Sequence, residues 1–446
     1  CIMSNLDIAV EKLSDKQSKL TVKVPVNDLQ KKVDSRVRQV AKTAKIDGFR
    51  KGKVPTSYIQ AQYGAGIRQE VINDTIRDTI SQALSETNIR AVGIPNIEDV
   101  KLENDFLVYQ ATVDVFPEVT IQGLGEIEVE RQTAVVSEAD VDTMIENLQK
   151  QRQTLVAKEG ELSEGDEATF DFVGTIDGEE FAGGKASDYT LVIGSNRMIP
   201  GFEEQMKGMT VGEERTINVT FPEDYQTEEL KGKEAQFAIT LKQIKEPQLP
   251  ELNEEFFELF GIKEGGLDQL KTDVRKNMER EIKNAARNQV KQAAFDALLE
   301  KNEFDVPKVM LEQEIERQRN LMLNRFAQQF GANPNTFDKE MLPDELFEEQ
   351  ALRAVRLGVL VARIIDTEQL AVDQERVKEF ISEAAQNYED PEEVIEYYTN
   401  DKQQRAGIEA VVLENQVVDY LLSQGKVTDK EVDYQTLLAT AQQSAM

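Results

Sequence analysis

The sequence predicts a multidomain α+β chain, and three observations carry that expectation. The chain has 446 residues, too many for one ordinary core; at about 150 residues per domain, three domains are expected. Near Gly160 the pattern changes to short alternating strands separated by glycine turns, and beyond Leu252 it is almost wholly helical. The segment before them mixes strands and helices. The expected order is an N-terminal α+β domain over residues 1–117, a linker arm over 118–157, a small antiparallel-sheet domain over 158–247 and an all-α domain over 248–446.

Cys1 is an odd first residue, Met3 reads as a start, and these first positions are given no role. Leu20, Val22, Val24 and Val26 alternate with polar residues, so Lys19 to Val26 reads as a half-buried strand. Asn27 or Asp28 can cap the following helix, on which Leu29, Val33, Val37, Val40 and Ala44 share one face. After Pro55 a second helix turns Val71, Ile72, Ile76, Ile80, Ala83 and Leu84 inward. A strand pair closes the domain, its second strand alternating from Leu107 to Val115 ahead of Pro117.

Between those helices lies Gly48-Phe49-Arg50-Lys51-Gly52-Lys53-Val54-Pro55. The whole chain carries a formal charge of −31, yet Lys42, Lys45, Arg50, Lys51 and Lys53 face only Asp47 in this stretch, a local balance of +4. Gly48 and Gly52 allow backbone angles closed to other residues and Pro55 fixes its own, so the segment reads as a shaped loop. Phe49 has no periodic apolar pattern around it to bury it. A basic loop with an aromatic tip can dock on a phosphate-rich or acidic surface. The plainer alternative is a solvated turn whose Phe folds back on its own domain.

From Val119 to about Ala157 the chain is acidic and then helical, with Val141, Ile145 and Leu148 at helical spacing. In the next domain Thr169 to Gly174 leads through Asp177-Gly178, a favoured hairpin turn, into Glu179-Glu180-Phe181. Tyr189 to Gly194 is another strand, and Arg197 to Lys207 a short helix opened near Pro200-Gly201. Thr216 to Phe221 and Gln236 to Ile244 complete a small sheet. Beyond it Val274, Met278 and Ile282 recur every four residues, and Val290, Ala294 and Ala297 extend the stripe. Further helices begin near Pro307, Pro343, Asp373, Pro391 and Ile408; a proline suits the first helical turn.

Composition excludes several functions. The sequence contains no histidine and one cysteine, so imidazole bases, Ser-His-Asp triads, His-ligated zinc and an internal disulfide framework are ruled out. Neither a cofactor nor a metal is expected. The acidic total disfavours broad nucleic-acid binding, which needs cations. No apolar run approaches a membrane span and no secretion signal is visible, which fits the cytoplasm and no membrane partner.

The loop Gly48 to Pro55 resembles the ribosome-binding signature of the trigger factor family of bacterial chaperones. The likeness continues through Gly183-Gly184-Lys185-Ala186-Ser187-Asp188, Arg197-Met198-Ile199-Pro200-Gly201-Phe202, Val274 to Arg280 and Leu346 to Gln350, in the family's order. It implies docking near the ribosomal tunnel exit, on a ribosomal protein and adjacent rRNA, through Gly48, Phe49, Arg50, Lys51, Gly52, Lys53 and Pro55. Nascent and unfolded polypeptides would be the other partners, held by a cradle of C-terminal helices, with a homodimer off the ribosome left open. The resemblance also implies that the 118–157 arm packs alongside the C-terminal domain.

The sheet domain resembles the FK506-binding type of peptidyl-prolyl isomerase, so the chain is expected to be an enzyme. That family's pattern places Phe172, Phe181, Tyr189, Met198, Ile199, Phe202 and Phe237 at the walls and floor of an apolar pocket, with Tyr225 on its rim. The sequence departs from the pattern twice. Phe202 stands where the family usually has tryptophan, and Ala182 where an aspartate usually follows the wall aromatic. Tight macrolide binding is therefore not expected, and polar assistance to the reaction is unassigned. Two rival readings are a free isomerase acting on partly folded clients and an adaptor in ribosome assembly.

Overall fold

The computed structural model describes residues 6–444, so Cys1 and Met3 lie outside the described residues. In chain order the elements begin with β1 (Asp7–Lys12), β2 (Gln17–Pro25), α1 (Val26–Thr43), α2 (Thr56–Glu86), β3 (Ala91–Glu103) and β4 (Phe106–Val115). Next come β5 (Glu128–Thr133), α3 (Glu138–Gln151), β6 (Thr154–Ala157), β7 (Glu167–Ile176), β8 (Glu179–Val192), α4 (Phe202–Met206), β9 (Glu214–Thr220) and β10 (Glu234–Gln248). The helical series is α5 (Glu254–Glu258), α6 (Gly266–Lys301), α7 (Lys308–Phe330), α8 (Glu348–Thr367), α9 (Gln374–Ala385), α10 (Pro391–Asn400) and α11 (Lys402–Gln424). A strand, β11 (Lys426–Glu431), and a last helix, α12 (Tyr434–Ser444), follow. Among the described residues no helix is long and apolar enough to cross a membrane.

These elements form two compact units. Residues up to Arg131 and Asn288–Lys430 make one, Gln132–Arg287 and the chain from Glu431 the other.

In the first unit an antiparallel sheet of order β1-β2-β4-β3 buries one face against α1 and α2. The helix starts earlier than expected. Pro25 occupies its N-cap position and no side chain caps it, so Asn27 and Asp28 fall inside the first turn. Pro25 lacks a donor and ends the strand, which is why Val26 opens the helix instead of closing the strand. The buried stripe is Leu29, Val33, Val37 and Ala41, one residue every four; Val40 and Ala44 pack at its margin. On β4, Tyr109 is fully buried and its hydroxyl lies 2.6 Å from Thr79 Oγ1, while Thr79 donates to the Thr75 carbonyl at 2.6 Å. The relay satisfies both hydroxyls inside a largely apolar core that also buries Thr75.

The same unit contains a helical core in which Val290, Phe295 and Leu298 of α6 meet Leu360 and Ile364 of α8 and Val417 and Leu421 of α11. Asn302 braces it, accepting from the Gln122 N–H at 2.7 Å and donating to the Gln122 carbonyl at 3.0 Å. β11 pairs with β5. The periodicity gave no sign of this strand, because Lys426–Glu431 is almost all polar and exposed.

In the second unit β10 is the organising strand. Its first part is flanked by β7 and β9, and its end, from Lys245 to Gln248, pairs with β6. β7 pairs β8 across the Asp177-Gly178 turn, where both residues have positive φ (53° and 83°) as a type I′ hairpin requires. β8 is one strand where the sequence suggested two. The register shifts twice: between Phe170 and Phe172, where Ser187 and Asp188 bulge, and between Val173 and Thr175, where residues 181–184, Gly183-Gly184 among them, loop out before pairing resumes. A separate core joins Val141 and Ile145 of α3 to Phe256 of α5, Val274, Met278 and Ile282 of α6 and Leu437 of α12.

Burial pushes the Tyr109 phenol up to about 12, against a model-peptide value near 10. Because the folded value is the raised one, the stability that depends on neutral Tyr109 is complete below pH 10 and is lost as pH rises toward 12. Tyr109→Phe is expected to cost about 1 kcal/mol at pH 8. The gap to wild type should close as pH rises from 10 to 12, as checked by urea unfolding at each pH.

Candidate functional site

Two places combine unusual exposure with built geometry. The first is the segment between α1 and α2. The Phe49 N–H donates to the Ile46 carbonyl at 3.1 Å and the Lys53 N–H to the Arg50 carbonyl at 2.9 Å, making two successive turns. Gly48 (φ 91°) and Gly52 (φ 81°) are the third residue of each, the position at which a type II turn demands positive φ. Val54 plugs into the domain core and Pro55 caps α2, so the loop is anchored where it leaves. Phe49 is 39 % exposed, its ring 5.1 Å from that of Tyr58 on α2. It therefore leans on its own domain without being buried by it. Arg50, Lys51 and Lys53 are exposed, and none has an ion pair among the described residues. The turns hold these cations and the ring together on one short, shaped segment.

The second place is a cavity of about 550 Å³ in the β7–β10 domain, within the size range of small-ligand sites. Phe172 and Phe237 form its buried wall, Phe181, Tyr189, Met198 and Ile199 its partly exposed sides, and Tyr225 the rim. Of the residues expected there, only Phe202 does not reach the surface of the cavity. It is fully buried one layer below, with ring centroids 5.1 Å from Phe237 and 6.1 Å from Phe172. Phe202 thus backs the wall. Ala182 lies at the edge and offers no polar group.

The rings meet mostly edge to face, the arrangement their quadrupoles favour. Phe181 crosses Phe237 at 87° and Phe221 at 81°. Gly174 permits this approach, since a Cβ there would sit 2.6 Å from the Phe237 ring and 2.8 Å from Phe181. Tyr189 is set by an ion cluster at the neighbouring bulge. Asp171 accepts from the Asp188 N–H at 2.8 Å, and Lys242 reaches Asp188 at 2.8 Å and Asp171 at 3.0 Å. The Asp188 N–H and the Lys242 ammonium hold the Asp171 carboxyl below its ordinary range.

Sequence reading missed Phe221, Pro222 and Leu230 in the cavity and Tyr58 beneath Phe49. Phe221-Pro222 carried a usable signal, an aromatic closing a strand just before a strand-breaking proline. Leu230 and Tyr58 carried none. A third feature is apolar exposure on helical segments of the first unit, where Phe330 and Met341 are 69 % and 77 % exposed and Leu321 and Leu346 also face out.

Comparison with known proteins places these features in context. A family model described as "Bacterial trigger factor protein (TF)" matches residues 6–148, and one for the C-terminus of that protein matches 266–423. A model described as "FKBP-type peptidyl-prolyl cis-trans isomerase" matches 158–242, the span that builds the cavity. The trigger factor of Psychrobacter cryohalolentis is 70% identical over 440 residues, covering 99% of this chain and 98% of that one. The trigger factor of Acinetobacter baumannii is 55% identical over 443 residues, covering 99% and 100%. A solved structure titled "Promiscuous Substrate Recognition in Folding and Assembly Activities of the Trigger Factor Chaperone" aligns at TM-score 0.49 and 20% identity, covering 93% of this chain and 99% of that one.

Gly174→Ala should force Phe181 and Phe237 apart and cost about 1–3 kcal/mol, the usual range for overpacking. Thermal unfolding of the variant checks this; an unchanged midpoint would show that the rings are not held against the glycine.

Proposed function

The chain belongs to the trigger factor family, and from that premise we propose that it docks on the ribosome through the Phe49 loop and isomerises X-Pro bonds in the Phe172–Phe237 cavity. Nascent and unfolded polypeptides are its clients. The domain limits at residues 117, 157 and 247 follow from the same reading, as does placement in the cytoplasm. Docking beside the tunnel exit would set Phe49, Arg50, Lys51 and Lys53 against a ribosomal protein and adjacent rRNA, while Gly48, Gly52 and Pro55 shape the loop. The exposed apolar positions near Phe330 and Met341 are the holding surface, and away from the ribosome the same surface would serve a homodimer.

The observation that carries the isomerase assignment is the lining of the cavity: chiefly aromatic and aliphatic side chains, with Arg197 and Thr227 at its polar positions and no cysteine or carboxylate. Rotation about an X-Pro bond has a barrier near 20 kcal/mol, because the amide loses its resonance as it twists. No covalent step is needed. The twisted amide is less dipolar than the planar one, so removal from water costs it less and a desolvating wall favours it selectively. Phe172, Phe237 and Tyr189 supply that wall, Met198 and Ile199 close it, and Phe202 keeps it rigid from behind.

For docking, the loop's charge contributes long-range attraction, which salt screens, and the Phe49 ring contributes desolvation, which salt barely touches. Arg50→Ala with Lys51→Ala is expected to weaken co-sedimentation with ribosomes and flatten its dependence on salt. Phe49→Ala should weaken it with the salt dependence unchanged. Full co-sedimentation of the triple alanine variant would remove the loop from the interface.

For catalysis, Ile199→Ala and Phe237→Ala in the full chain should lower kcat/KM on a short X-Pro peptide by about tenfold or more each. Circular dichroism must show the fold retained, because core truncations of this size cost about 2–5 kcal/mol. A folded double variant with wild-type activity would move the reaction elsewhere.

A further inference from the structure

One buried carboxylate lies beside the cavity and takes no part in the mechanism above. Glu203, the second residue of α4, is only 8 % exposed. Its Oε1 accepts from the Gly194 N–H at 3.0 Å and the Asn196 N–H at 3.3 Å, and its Oε2 from the Met198 N–H at 3.4 Å; the Ser195 hydroxyl, 3.4 Å from Oε1, gives its proton to the Val192 carbonyl at 2.6 Å. These donors all belong to the segment joining β8 to α4, the segment that carries Met198 and Ile199 to the cavity. The backbone is bent to present them. Gly194 and Asn196 both have positive φ, 94° and 56°, which turns successive N–H groups to the same side. Lys207 makes its ion pairs with Glu204 at 2.8 Å and Glu164 at 3.8 Å and feels the Glu203 charge without contacting it as an ion pair.

A carboxylate taken out of water is costly unless its lone pairs are filled, and here main-chain donors from three residues fill them. The dependence is mutual, since without the carboxylate those N–H groups would have no acceptor holding them on one side.

We propose that Glu203 is a positioning residue of the isomerisation site: its carboxylate gathers the main chain of residues 194–198 and so fixes Met198 and Ile199 as the closing side of the cavity. The proposal rests on the isomerase reading of that cavity. Met198 and Ile199 contact the proline-bearing segment in the planar and the twisted state alike. Loosening them therefore removes binding common to both states, which appears in KM before kcat.

The test uses the full chain, with kcat and KM measured separately on a short X-Pro peptide and hydrogen exchange followed over residues 194–199. Glu203→Gln keeps the shape but points amide hydrogens at N–H donors. It is expected to raise KM on the order of 10-fold with kcat changed far less, and to speed exchange in that segment. Gly194→Ala attacks the same contact from the other end, because its φ is closed to a Cβ and that Cβ would meet Glu164 at 2.9 Å; it should shift KM in the same direction. This second variant decides the matter if Glu203→Gln does not fold. Glu204→Gln, which removes the neighbouring exposed charge, should match wild type. A lower melting temperature with KM and local exchange unmoved in both test variants would overturn the positioning role and leave Glu203 a structural group. Ile199→Ala measured alongside separates the two ideas: if it keeps full activity, the cavity assignment itself fails.

Discussion

The cavity depends on how four phenylalanine rings meet. Phe237, on the strand that most of its sheet pairs with, has Phe172, Phe181 and Phe202 at centroid distances of 5.9, 6.0 and 5.1 Å, each edge-on. Edge-to-face contact fixes both separation and tilt, so a ring cannot slide without losing its neighbours. The concavity is the space this cluster leaves when its outer members cannot close over it. Its walls are therefore stiff, and a stiff apolar wall suits a reaction that needs only the exclusion of water around a twisting bond. Chemistry of this kind asks for shape in place of reactive groups, which is why a chain without histidine can perform it.

Electrostatics follow the opposite logic. A net charge of −31 would repel a phosphate-rich partner at long range, and only a local reversal of sign can give one part of the surface a different affinity. The loop between α1 and α2 achieves this with few residues. Its two glycine turns crowd cations that would separate on a regular element, and the core anchor at Val54 stops the segment from relaxing. The positive field is confined to about a Debye length around the loop, and elsewhere the acidic surface disfavours a phosphate-rich partner.

Much of this was legible in the sequence, and the exceptions have physical causes. Helices with a four-residue apolar repeat, such as Val274-Met278-Ile282, are visible because one face is buried over many turns. The start of α1 was misplaced because Pro25 caps it by conformation, without the side-chain acceptor that a sequence pattern seeks. β8 looked like two strands because bulges were indistinguishable from turns at Gly183-Gly184. Resemblance points to the residues that line the cavity and periodicity does not, since a buried wall and an ordinary core both alternate. Phe202 illustrates the limit: its residue type fits the lining, and only coordinates place it a layer behind. Glu203 was invisible for a similar reason, as one acid among many whose burial depends on the turn of another segment.

The pairing of β6 with the end of β10 has a topological consequence. Thr154 lies opposite Gln248, so the chain enters and leaves the sheet at adjacent points on neighbouring strands. Everything between them is closed off by that short ladder. To the flanking sequence, the whole module is equivalent to a tight loop, and its length adds almost nothing to the entropy of joining the ends. Such a module can be gained, lost or exchanged in a lineage without its host having to refold around a new gap. The lining of the cavity can accordingly change under its own selection, uncoupled from whatever constrains the helices on either side.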